Sequence, residues 1–73
     1  MQEYPDLKTI DKWEATIRGK EFILWIDESE RRYLIHAGSE GNRYSLLLEK
    51  KPTREEAEQW FHNHDGFRAH FSV

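Results

Sequence analysis

The run from Lys12 to Asp27, KWEATIRGKEFILWID, alternates apolar and polar residues before a glycine and is continuously apolar from Phe22 to Ile26 after it. Such alternation predicts half-buried strands, because successive side chains point to opposite sheet faces. A two-residue turn at Gly19-Lys20, with glycine first, sets Ile17 against Phe22, Ala15 against Leu24 and Trp13 against Ile26. The opposite face then pairs Arg18 with Glu21 and Lys12 with Asp27, each of opposite charge. A second turn on Ser29-Glu30 sets Ile26 against Tyr33, Leu24 against Ile35 and Phe22 against Ala37, with Glu28 meeting Arg31 and Asp27 meeting Arg32. A third, on Glu40-Gly41, sets Ile35 against Leu46, Tyr33 against Leu48 and Arg32 against Glu49. The competing pattern is a helix through Leu7, Ile10, Trp13 and Ile17, from Pro5 to a stop at Gly19.

All three turns keep one set of side chains on one face: Trp13, Ala15 and Ile17, then Phe22, Leu24 and Ile26, then Tyr33, Ile35 and Ala37, then Tyr44, Leu46 and Leu48. A sheet face so apolar needs a cover. Thr53 and Glu56 stand at capping-box spacing after Pro52, with acids in the first turn, which predicts a helix presenting Ala57, Trp60, Phe61 and His64, with Gly66 as its stop. The tail FRAHFSV alternates again and reads as a short fifth strand at an edge, or an extended segment packed beside the sheet. The expected fold is α+β: a four-stranded antiparallel meander with one C-terminal helix on one face, in a single domain over residues 1–73.

Ten aromatics in 73 residues suit a chain near the lower size limit for a single core. The absence of cysteine excludes disulfides, thiolate metal sites and thiol nucleophiles, and fits a cytoplasmic setting. No apolar run is long enough to span a bilayer, and MQEYPDLKTIDKW lacks the basic start and apolar stretch of a signal peptide. A net charge of −3 weighs against a strong nucleic-acid binder.

The segment WFHNHDGFRAH holds three histidines and an aspartate. The string HNHD shares letters with the HNH nucleases, whose ligands are instead spread over a strand–strand–helix motif. Side chains two apart on a helix point about 200° away from each other, so His62 and His64 do not chelate one ion there. Histidines near a helix C-terminus suit its negative dipole end, and that role is expected here, with no metal and no cofactor. Ser39 and Ser45 lack a nucleophile elbow, GSEG lacks a following helix, and the acids of DESE belong to a hairpin tip. No catalytic residue is expected.

The second face of the sheet gathers Ile23, Trp25, Leu34 and Leu47, with Thr16, His36 and Ser45 around them. Its rim is charged: Glu14, Arg18, Glu21, Arg32, Arg43 and Glu49. An apolar centre with a mixed-charge rim is the anatomy of a protein interface. The expected partner-binding residues are Ile23, Trp25, Leu34 and Leu47, with Arg18, Arg32, His36 and Arg43, and Trp25 as anchor. The partner is another protein or a second copy. Tyr4, Leu7 and Ile10, or the C-terminal tail, would otherwise cover this face.

Residues 21–61, three strands and a helix ending KKPTREEAEQWF, resemble the small DNA-binding modules at the N-termini of tyrosine integrases. That resemblance implies a nucleic-acid partner on the same face, with Trp25, Arg32 and Arg43 as readers. The chain departs from those modules in charge, since acids balance its basic residues. EQWF at residues 58–61 is similar to a string in small phage-encoded anti-CRISPR inhibitors, which implies an inhibitory protein contact.

Overall fold

The computed structural model describes residues 7–30, 32–39 and 41–73. Four strands, β1 (Lys8–Ile17), β2 (Lys20–Ser29), β3 (Arg32–Gly38) and β4 (Arg43–Leu48), form an antiparallel sheet in the order β1-β2-β3-β4. Two short helices follow, α1 (Arg54–His62) and α2 (Asp65–Phe71). Residues 8–17 are strand, not the competing helix.

Every residue of the expected core face is there. Ile17, Phe22, Leu24, Ile26, Ile35 and Ala37 are buried, and Trp13, Ala15, Tyr33, Tyr44, Leu46 and Leu48 lie half-buried against them. The third hairpin has the expected register, Tyr33 opposite Leu48 and Ile35 opposite Leu46. β4 ends at Leu48, so the expected pairing of Arg32 with Glu49 lies beyond the ladder.

The first two hairpins differ from expectation by two residues. The first turns on Arg18 and Gly19, at φ 53° and 83°, so Ala15 faces Phe22 and Trp13 faces Leu24. Positive φ at both central positions is the signature of the type I′ turn, whose twist matches the strands; glycine takes the second position and Arg18 bears the strained first one. The second closes beyond the pair Ser29 and Arg32, with Glu30 at φ 47°, so Ile26 faces Ile35 and Leu24 faces Ala37. Strand alternation has a period of two, so neither slip moves a side chain to the other face. What changes is the charge pairing. Thr16 rather than Arg18 lies opposite Glu21, Trp25 opposite Lys12, and Leu34 opposite Asp27. The expected contact of Glu28 with Arg31 lies outside the described residues.

Thr53 caps α1 as expected: its hydroxyl accepts from the Glu56 amide at 3.1 Å and the Glu56 carboxylate accepts from the Thr53 amide at 2.9 Å. Ala57 and Phe61 are buried, but Trp60 is 50% exposed, so it is not part of the covering face. α1 is clasped to β1 by Arg54, which donates twice to Asp11 at 2.7 and 2.9 Å, and by Trp13 Nε1, which donates to Glu58 at 2.9 Å. Hydrogen bonding from Arg54 holds the Asp11 carboxyl below its ordinary range.

The tail is a second helix, not a fifth strand. Phe67, Ala69, Phe71 and Val73 alternate, but Phe67 and Phe71 are also four apart, and the helical period wins. Phe67 is fully buried and Phe71 half-buried, while Ala69 is exposed. The Phe67 ring sits 5.0 Å from Phe61 and 5.1 Å from Phe22, closing the core at this end. α1 stops at Asn63 rather than Gly66. Gly66 lies in α2, where a Cβ would come within 2.3 Å of the Tyr44 hydroxyl, so a larger residue there would have to displace the Tyr44 ring.

Candidate functional site

The three C-terminal histidines do not act as a group. His62 is exposed in the last turn of α1. His64 begins α2: its Nδ1 accepts from the amides of Gly66 and Phe67 at 3.1 and 3.3 Å. It therefore caps an N-terminus, the reverse of the expected C-terminal role. His70 Nε2 lies 2.9 Å from Oδ1 of the Asn42 side chain. Among the described residues no three His, Asp or Glu side chains converge to hold a metal ion.

The second face is organised in rows across the strands. The central row is Lys12, Trp25, His36 and Ser45, each opposite the next. Trp25 and His36 are stacked at 4.9 Å with 22° between planes, and are only 8% and 4% exposed. The Lys12 ammonium stands 6.0 Å over the indole. On one side of this row lie Glu14, Ile23, Gly38 and Arg43; on the other lie Asp27, Leu34 and Leu47. Ile23 is 39% and Leu47 48% exposed, and Leu34 is half-buried.

Of the expected binding residues, Ile23, Trp25, His36 and Arg43 therefore cluster, and Leu34 and Leu47 adjoin them. Arg18 sits apart at the first hairpin tip and Arg32 at the start of β3, both exposed. Arg43 lies opposite Gly38, six residues along β3 from Arg32, about 20 Å at strand rise. Trp25, the expected anchor, is part of the face's foundation, and the side chains that protrude are Ile23 and Leu47. Ile10 and α2 do not cover this face, for Ile10, Phe67 and Phe71 pack with the core on the other side. Leu7 is half-buried, and Tyr4 lies outside the described residues.

A polar string crosses the face from β1 to β4. The Thr9 hydroxyl donates to Asp27 Oδ1 at 2.6 Å, Asp27 Oδ2 lies 2.9 Å from His36 Nε2, and His36 Nδ1 lies 2.6 Å from Ser45 Oγ. The Asp27 contact is close but off the N–H direction, so it is electrostatic rather than a well-aligned hydrogen bond. Burial pushes the His36 pKa below its ordinary 6.5, against the opposing pull of Asp27 and with help from the Arg43 charge. Desolvation thus outweighs attraction, and the ring is neutral at pH 7. Next to a carboxylate the proton belongs on Nε2, which leaves Nδ1 to accept from Ser45.

Hydroxyl, imidazole and carboxylate in this order repeat the roles of a serine triad, with the ring reversed. A triad also needs donors aimed at a developing oxyanion in a substrate cleft. Beside this string there is a depression of ≈ 420 Å³ bordered by Lys12, Ile23, Trp25, Asp27 and Arg43. Ser45 is not on its border. Thr9, Lys12 and Asp27 were not among the expected site residues. The two-residue slip hid them, since the unslipped register gives Asp27 to Arg32 and sets Ile23 rather than Trp25 opposite His36.

No family model, curated protein or solved structure matches this chain.

Proposed function

We propose that the chain is a non-catalytic protein-interaction module whose partner docks on the second face of the sheet. The observation that supports this reading most is the exposure of Ile23 and Leu47 on either side of a rigid Trp25–His36 floor. Two apolar side chains held up by a fixed base, with Glu14, Lys12, Arg43 and Asp27 around them, offer an apolar centre and a rim of both signs. Preorganisation of this kind lowers the entropy cost of docking.

A nucleic-acid partner has less support. The buried indole of Trp25 offers no open ring for base stacking, Arg32 and Arg43 stand far apart, and acids alternate with the basic groups. The test is capture by the tagged full chain from a native lysate, divided into nuclease-treated and untreated halves, with Ile23→Asp and Leu47→Asp run alongside. A protein that survives nuclease and is lost with either substitution supports the module. Capture that vanishes with nuclease, or that ignores both substitutions, overturns it.

A further inference from the structure

β4 is an open edge, and its hydrogen-bonding groups can be assigned. Ser39 and Asn42 exchange both main-chain hydrogen bonds across the third hairpin, at 3.1 and 3.2 Å. In an antiparallel ladder bonded and non-bonded pairs alternate. Following the register from Ser39–Asn42, the pairs Ala37–Tyr44, Ile35–Leu46 and Tyr33–Leu48 are bonded, and those at Arg43, Ser45 and Leu47 are not. The N–H and C=O groups of Arg43, Ser45 and Leu47 therefore point away from β3, and among the described residues no strand pairs with that side.

The sheet's two edges are not alike. β1 carries Lys8, Asp11, Lys12 and Glu14 and a register shift between Thr9 and Asp11, the usual protections against edge-to-edge pairing. β4, RYSLLL, has one charge at its start and neither bulge, proline nor glycine.

We propose that β4 pairs antiparallel with β4 of a second copy of this chain, about a two-fold axis at Leu46. The proposal rests on the preceding reading only in treating exposed Leu47 as an interface residue. In this register Ser45 and Leu47 exchange hydrogen bonds with Leu47 and Ser45 of the second copy, and Arg43 lies opposite Glu49 at both ends. The outward groups of Ser45 and Leu47 meet their counterparts, giving about four main-chain hydrogen bonds, and Arg43 faces Glu49 just past the end of β4. The exposed Arg43 and Glu49 find opposite charges, while Tyr44 meets Leu48 on the core side and Leu47 is covered on the other. Moving the axis to Ser45 sets Arg43 against Leu47 and leaves Glu49 without a partner. The charges thus select one register, and the symmetric use of a single strand closes the assembly at two copies.

A strand-to-strand seam of this length falls short of the area of a stable interface, so the association is weak, with Kd in the range of about 10 μM to 1 mM. Sedimentation equilibrium of the full chain across that range is expected to show monomer and dimer. Arg43→Glu sets like charges against each other at both ends, and is expected to raise Kd on the order of tenfold, as is Glu49→Arg. The Arg43→Glu/Glu49→Arg double variant restores the dimer. Amide exchange supplies a second readout: Ser45 and Leu47 amides gain protection as concentration rises, whereas Tyr44 and Leu46 amides are protected throughout. A chain that stays monomeric throughout, a dimer indifferent to both reversals, or one the double variant fails to restore overturns the proposal. Ile23→Asp separates the two readings, for it removes a docking contact and leaves this seam intact.

Discussion

Asp27→Leu tests the polar string where it is least able to compensate. The His36 side chain is 5% exposed and that of Asp27 15%. Removing the carboxylate leaves Nε2–H beside leucine, out of reach of water. An orphaned buried donor costs about 1–3 kcal/mol, and the off-axis approach of Asp27 argues for the lower part, about 1–2 kcal/mol. A domain of this size has a total stability of about 4–11 kcal/mol, so the change is a large fraction of it. At about 4–8 °C per kcal/mol, Tm should fall by roughly 5–15 °C. The companion variant is Asp27→Leu/His36→Phe, which removes the orphan and keeps a ring to stack on Trp25. Replacing both partners by apolar groups is nearly neutral, so the double variant should regain most of the loss. Thermal and urea unfolding followed by tryptophan fluorescence and circular dichroism measure both. A Tm unchanged in Asp27→Leu, or a double variant less stable than the single one, would refute the assignment of a buried, neutral His36 held by Asp27.

Acidification acts on the same ring: the unfolded chain takes up a proton near pH 6.5 that the folded ring refuses, so stability is full above that pH and is lost as pH falls toward the depressed value; urea midpoints across this range should show the slope in the wild type and its reduction in His36→Phe. Phe61→Ala empties a fully buried site between the sheet and α2 and should cost about 3–5 kcal/mol, a large share of the total stability, read as a lowered Tm and urea midpoint by circular dichroism. Ile23→Asp and Leu47→Asp, at exposed positions, should move Tm by no more than about 2–4 °C while abolishing partner capture. Ser45 should form no adduct with a fluorophosphonate probe by mass spectrometry; stoichiometric labelling lost in His36→Phe would make the string a catalytic device.

The faces of the sheet were legible because alternation fixes which side each residue occupies, and that survives any even slip. The third register was legible because glycine-containing GSEGNR allows only one turn that keeps Tyr33 on Leu48. The first two were not, since Ile17 suits Phe22 as well as Ala15 does, and apolar pairing cannot tell registers two apart. Arg18 in a left-handed conformation was invisible to a rule that gives the first turn position to glycine. The tail misled because Phe67 and Phe71 satisfy both periods. Of the site, Ile23, Leu34 and Leu47 could be read from position alone. Thr9 opposite Asp27, Trp25 stacked opposite His36, and Asp27 diagonal to His36 all depend on the true register.

The type I′ tip at Arg18-Gly19 has a consequence for the chain's history. A strand pair that can close two residues earlier or later without turning a side chain over tolerates insertions and deletions in units of two. Loss of Gly19 and Lys20 together would shorten the hairpin and leave Trp13, Leu24 and Ile26 facing inward. Loss of Gly19 alone would force either a bulge or an inverted β1, with Lys12 and Glu14 driven into the core. Length variation among descendants of this chain should therefore be even at its hairpin tips, with odd changes found where a bulge such as that between Thr9 and Asp11 absorbs the extra residue.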